Sequence, residues 1–306
     1  VSAEPAPSTL AIWWRGARPR TLGAGLAPVA VGASAAGHVV PWRLAAAVVV
    51  ALGLQVGVNF ANDFFDGTRG VDTHERMGPP RLTQSGSASP GAVLIVALVC
   101  LGLAGVCGLA LALATSPVLV LSIGALALLA ALLYSGGPRP YAGLGLGELM
   151  VFLFFGLMAT CGTAYVMIET VPAAAWWGGI AMGFLAVAIL VANNLRDIPT
   201  DAASRKRTLA VRIGDARTRR LYRTAVVLAF LTVIAGVVVF LIDETAGLTQ
   251  WGLVALAAWP LAIRPMERVG SASGRELIPV LTATALTHAA FGLLLSLGLI
   301  LWHAAG

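Results

Sequence analysis

Apolar stretches long enough to cross a lipid bilayer recur along the whole of this 306-residue chain, and that recurrence restricts its fold more than any single motif does. The hydrocarbon core offers no water to backbone N–H and C=O groups, so a crossing segment satisfies them within its own helix. Each helical crossing needs about 20 predominantly apolar residues. Nine such runs are read, at roughly 22–40, 43–60, 91–114, 117–134, 147–168, 176–194, 224–242, 249–263 and 277–302, the eighth being the shortest. Charged residues make up only 11% of the chain, against about 25% in a soluble domain. The expected fold is all-α: a polytopic membrane protein of about nine transmembrane helices, forming one domain over 1–306 with residues 1–12 as a flexible tail. No apolar segment of signal-peptide type precedes Thr21.

Nine crossings divide the twenty Lys and Arg residues nineteen to one, with Arg43 alone on the far side. By the positive-inside rule the rich side is cytoplasmic. That predicts an inside N-terminus and an outside C-terminus in the cell inner (plasma) membrane. Contact with anionic lipid accounts for the net charge of +6, so nucleic acid is not an expected partner. Cys100, Cys107 and Cys161 lie inside apolar runs at unrelated spacings and read as small core residues.

Two long connections on the basic side hold five of the seven aspartates. The first reads Asn59-Phe-Ala-Asn62-Asp63-Phe-Phe-Asp66-Gly-Thr-Arg69-Gly-Val-Asp72, and the second Asn193-Asn194-Leu-Arg196-Asp197-Ile-Pro-Thr-Asp201 with Arg205-Lys206-Arg207 behind it. Spacings of three and four put Asn59, Asp63 and Asp66 on one helical face, and Asn193, Asp197 and Asp201 on another. Carboxylates gathered on one face repel unless a cation sits between them. Oxygen ligands of this kind suit magnesium, which completes its shell with water and substrate phosphates. The interleaved arginines and Lys206 can neutralise the remaining phosphate oxygens.

A solvated loop charge explains one such Asp, but not two Asn-Asp clusters at equivalent ends of runs two and six. Runs one to four and five to eight therefore form a parallel repeat plus a ninth helix, an arrangement that places a binding site between the halves. A cytoplasmic mouth lined with acids above apolar helices suits a lipid diphosphate. A transporter would carry its polar groups nearer the membrane midplane, and a cation channel has little use for phosphate-binding arginines.

The residues that carry these features resemble the UbiA superfamily of intramembrane prenyltransferases over residues 12–302. The resemblance lies in Arg18-Pro-Arg20-Thr-Leu, in Asn62-Asp63-Phe-Phe-Asp66 through Asp72, and in Arg76-Met-Gly-Pro-Pro-Arg81 leading to Gln84-Ser-Gly86. It continues in Tyr134-Ser-Gly-Gly-Pro, Gly145-Leu-Gly-Glu148 and Asn193-Asn-Leu-Arg196-Asp197 through Gly214. The Gly-Pro-Pro-Arg segment and the Asp66-to-Asp72 spacing are similar to the branch acting on 1,4-dihydroxy-2-naphthoate. The resemblance implies a UbiA-like helical bundle in which Asp63, Asp66, Asp72, Asp197 and Asp201 hold two magnesium ions against a polyprenyl diphosphate. It implies that Asn59, Asn62, Asn193 and Asn194 orient those carboxylates, and that Arg69, Arg196 and Lys206 contact phosphate oxygens. Which of Arg205, Lys206 and Arg207 meets the diphosphate stays open. The loop bearing Arg81 and Gln84 can fold over the mouth towards the aromatic acceptor, and Tyr134 and Glu148 flank a second loop that could cover the site. The product would be demethylmenaquinone. Within the superfamily, 4-hydroxybenzoate, homogentisate or a sugar phosphate are the alternative acceptors.

Overall fold

The computed structural model describes residues 8–70, 77–78 and 81–305. Among these residues no strand is present, and eleven α-helices follow one another. They are α1 (Thr9–Ala17), α2 (Gly23–Ala35), α3 (Pro41–Thr68), α4 (Pro90–Ala114), α5 (Pro117–Leu133), α6 (Gly147–Ile168), α7 (Ala173–Ala203), α8 (Leu209–Ile213), α9 (Asp215–Ile242), α10 (Trp259–Arg268) and α11 (Leu277–Ala305). Helix starts follow local chemistry. Pro41, Pro90 and Pro117 open α3, α4 and α5, where a missing N–H costs nothing. Ser8 and Ser89 accept from the backbone at the starts of α1 and α4. Helix α1 thus begins inside the segment expected to be a tail.

Among the described residues six helices are long and apolar enough to cross a membrane: α3, α4, α6, α7, α9 and the stretch that ends in α11. The protein is a multi-pass membrane protein. The other three apolar runs are shorter as helices. Helix α2 has 13 residues and α5 has 17, about 20 and 25 Å at 1.5 Å per residue. The eighth run is divided between the 3₁₀ segment Gln250–Ala258 and α10. Six of the nine apolar runs thus form helices of crossing length among the described residues, and the other three form shorter helical elements that have proline or glycine inside or beside them.

The long helices position the site. Helices α3 and α7 have 28 and 31 residues, about 42 and 46 Å, against a hydrocarbon core of about 30 Å. Their C-terminal turns therefore reach past the apolar slab, and these turns carry the two Asn-Asp clusters. The tightest core surrounds α7, where Met182, Leu185 and Val191 meet Val31 of α2, Tyr222 and Val233 of α9, and Phe291 and Leu295 of α11, all fully buried. Exposed leucine, isoleucine and valine side chains run along α4 and α5. A continuous apolar surface of this kind fits a lipid environment.

Candidate active site

The two clusters meet although about 130 residues separate them in sequence. On α3, Asn62, Asp63 and Asp66 are buried, as are Asn194, Arg196 and Asp197 on α7. Asp66 is the meeting point: its Oδ2 accepts from Arg81 Nη2 and from Lys206 Nζ, both at 3.2 Å. Lys206 reaches it because α7 ends at Ala203 and Arg205 turns left-handed at φ 58°, reversing the chain so that Lys206 N–H donates to Asp201 O at 2.8 Å. Arg205 and Arg207 point away and are exposed. Asp197 is held by Arg196, whose Nε and Nη2 reach its two oxygens at 2.7 and 2.5 Å. Arg196 Nη2 also donates to Asn193 Oδ1 at 2.8 Å. Asp201 Oδ2 accepts from the Thr208 hydroxyl at 3.5 Å.

Asp63 has a different environment from Asp66. Its oxygens accept the backbone amides of Leu82 and Thr83 at 2.8 and 2.9 Å, so this carboxylate anchors the loop that carries Arg81. Asp72, Arg76, Pro79 and Pro80 lie outside the described residues. Asn59 donates to Ala17 O at 3.1 Å, tying α1 to α3. Arg69 donates to Ser135 O and Gly137 O, both at 2.7 Å, and lines neither of the cavities below. Glu148 also lines neither; it is buried and accepts from Asn194 Nδ2 at 3.0 Å. Gln84 sits further along the Arg81 loop, half-buried and off the cavity walls.

Two cavities adjoin at this place. A polar one of about 50 Å³ is lined by Asn62, Asp66, Asn194, Asp197, Asp201 and Lys206, among others. An apolar one of about 1040 Å³ runs between α3, α4, α5 and α6, larger than the roughly 300–1,000 Å³ of drug-sized ligand sites. Arg18, Asn62, Arg81, Tyr134 and Asn193 line both. Arg18 was not among the expected site residues. It reaches the wall from a left-handed turn between α1 and Pro19, and its place in Arg18-Pro-Arg20 was the only signal.

The donor set suits a hard cation. Every candidate ligand is a carboxylate or amide oxygen, and Asn62 Oδ1 is buried with no hydrogen-bond partner, which leaves an acceptor at the seam of the two cavities for a cation or a ligand's proton. In this arrangement the charges of Asp66 and Asp197 are met by Arg81, Lys206 and Arg196. Among the described residues, no three acidic, histidine or cysteine side chains are grouped closely enough to hold a metal by themselves.

Comparison with known proteins agrees with this architecture. The chain is 46% identical over 283 residues to a 1,4-dihydroxy-2-naphthoate octaprenyltransferase of Mycobacterium tuberculosis, covering 91% of this chain and 93% of the relative. Its fold is similar to the apo structure of a UbiA homolog from Aeropyrum pernix, with a TM-score of 0.69 at 16% identity over 92% of this chain and 97% of that one. It is also similar to a UbiA homolog from Archaeoglobus fulgidus bound to GPP and Mg2+, with a TM-score of 0.58 at 17% identity over 93% and 99%. The profile of the UbiA prenyltransferase family matches residues 25–270, and the chain belongs to that family.

Proposed function

We propose that this protein transfers a polyprenyl group from its diphosphate to 1,4-dihydroxy-2-naphthoate, releasing diphosphate and carbon dioxide. The observation that carries the reading is the seam between a small charged pocket and a long apolar cavity, which share Arg18, Asn62, Arg81, Tyr134 and Asn193 as walls. A ligand with an anionic head and a hydrocarbon tail fills both. The acceptor follows from the name of the mycobacterial relative, at 46% identity.

Asp66, Asp197 and Asp201 would hold magnesium with Asn62, and Asp63 and Asp72 complete the two acidic clusters; two ions match the two clusters. The Mg2+ bound to the archaeal homolog supports a divalent ion in this fold. Bound magnesium would neutralise charge on the departing diphosphate. Arg196 and Lys206 turn from carboxylates to phosphate oxygens when the head enters, and Asn193 and Asn194 orient the carboxylates. As the donor C1–O bond breaks, its electron pair leaves with the diphosphate. The apolar walls keep water from the allylic cation. The ring carbon bearing the carboxylate then attacks C1, a C–C bond forms, and the carboxylate departs as carbon dioxide, its bonding pair restoring the aromatic ring. The product is the reduced form of demethylmenaquinone. Arg81, on both cavity walls, offers the acceptor carboxylate a guanidinium, and Tyr134 offers a phenol proton.

The test is purified protein with one prenyl diphosphate and a panel of acceptors. Turnover of dihydroxynaphthoate is expected to exceed that of 4-hydroxybenzoate and homogentisate by at least about tenfold in kcat/KM, the discrimination that a polar site reading ring substituents reaches easily. Equal or better use of another acceptor overturns the acceptor assignment and leaves prenyl transfer standing.

The site faces the cytoplasm of the cell inner membrane in this reading, with the N-terminus inside, because nineteen of twenty basic residues lie on one side of the nine apolar runs. Reporter fusions after Gly86 and after Gly306 are expected to mark opposite sides. The same side for both means that one run does not cross, and the divided run at Gln250–Ala258 is the first to suspect.

A further inference from the structure

One arginine lies just beyond the far end of the large cavity. The walls there are Ala47 of α3, Leu111 of α4, Val120 of α5 and Val166 of α6. Arg43 lies one turn before Ala47. Its Nη1 donates to Val166 O at 3.0 Å, and its Nη2 donates to Ala114 O at 2.9 Å. Ala114 is the last residue of α4, so one guanidinium ties the ends of α4 and α6 to the start of α3. Nη1 also stands 3.6 Å from Glu169 Oε1. Glu169, the residue after α6, holds a left-handed φ of 59°, a conformation that residues other than glycine rarely adopt. Val40, Leu44 and Met167 pack around the same level.

With all nine apolar runs crossing, Arg43 is the one Lys or Arg on its side. Positive charge is not what that side of a membrane protein collects, so a local task explains Arg43 better than topology does. A simple cap for two helix ends would account for the carbonyl bonds alone. The position directly beneath the last cavity-lining residue of α3, bonded to the carbonyl of the last lining residue of α6, points further. We propose that Arg43, braced by Glu169, is the floor of the prenyl cavity and limits the tail length that the cavity takes in. The inference rests on the prenyltransferase reading.

Dimensions give the limit. Ala47 and Asn62 both line the cavity, and the fifteen residues from one to the other on α3 span about 22 Å at 1.5 Å per residue. A hydrocarbon tail reaches roughly 1.2 Å per bond, as an extended polypeptide does, so a five-carbon unit of four bonds covers about 5 Å. About four units lie straight between the polar pocket and the floor. A tail of eight units must fold back, leave between helices or pass the level of Arg43.

The experiment compares donors of two, four and eight prenyl units with dihydroxynaphthoate, using the full chain in lipid nanodiscs. In Arg43→Ala the ratio of kcat/KM for the eight-unit donor to that for the two-unit donor is expected to rise by at least about tenfold, the scale on which pocket walls sort hydrocarbon groups. Arg43→Lys, which cannot fork between two carbonyls, should fall between. Raising the floor has the opposite sign: Ala47→Phe should lower the four-unit to two-unit ratio by a similar factor. Unchanged ratios in a folded Arg43→Ala protein overturn the proposal. If that variant does not fold, an unchanged ratio in Ala47→Phe overturns it alone. Wild-type protein that turns over no prenyl diphosphate overturns the enzymatic reading and the floor with it, whereas normal turnover with unmoved ratios overturns only the floor.

Discussion

Asp66→Asn is expected to lower kcat/KM by at least about 100-fold, since loss of a metal-facing carboxylate removes several kcal/mol of charge stabilisation and each 1.36 kcal/mol is tenfold. The side chain keeps its shape, so the loss is one of charge. It also carries a structural cost with a separate signature. Asp66 is buried and meets both Arg81 and Lys206, and stripping one partner from a buried ion pair costs about 3–5 kcal/mol. Lys206 is partly exposed and recovers some of that from water. The double variant Asp66→Asn with Arg81→Gln should therefore melt higher than Asp66→Asn alone while staying inactive. Steady-state kinetics across a magnesium titration, with thermal unfolding in the same detergent, separates the two effects. Normal turnover by Asp66→Asn, or wild-type turnover in excess EDTA, would refute the metal assignment.

Gly156→Val is expected to destabilise the fold by about 3 kcal/mol or more, at the upper end of overpacking costs. Helices α6 and α7 cross with Gly156 against Gly179 and Gly183. A Cβ on Gly156 would lie 2.7 Å from both Gly179 O and Gly183 N, which are backbone atoms that cannot swing aside. Small residues allow this approach within a membrane. Gly156 lies in the π-helical segment Phe152–Met158, and Phe154, Phe155 and Met158 of the same segment line the large cavity. A wider turn of this kind often marks a functional wall. Gly162→Ala, on the same helix, is the control: its added Cβ meets nothing within 4 Å, so it should fold normally. A thermal midpoint for Gly156→Val equal to that of Gly162→Ala would show that the helices can part without cost.

The two residues differ in how far each could be read in advance. The spacing of Asp66 from Asn59 and Asp63 is helical arithmetic, so its face and its end of the membrane were legible. Its partners were not, because Arg81 is 15 residues away and Lys206 is 140. Gly156 carried no signal at all, since a glycine in an apolar run looks the same whether it faces a backbone or lipid.

The sequence by itself determined the solvent, the all-helical class and the gathering of the acids into two clusters. Apolar runs leave no other way to satisfy backbone groups in lipid, and the acidic clusters can only sit where α3 and α7 outrun the hydrocarbon. Tertiary structure decided the pairings. It chose Lys206 over Arg205 and Arg207 through one left-handed residue, gave Asp63 to the amides of Leu82 and Thr83, and turned Arg69 to the carbonyls of Ser135 and Gly137. It also shortened α2 and set Arg43 between two helix ends. Periodicity is a local property with a reach of one or two turns. Which side chain meets which across about 130 residues depends on how helices cross and chains reverse, and that is settled by packing.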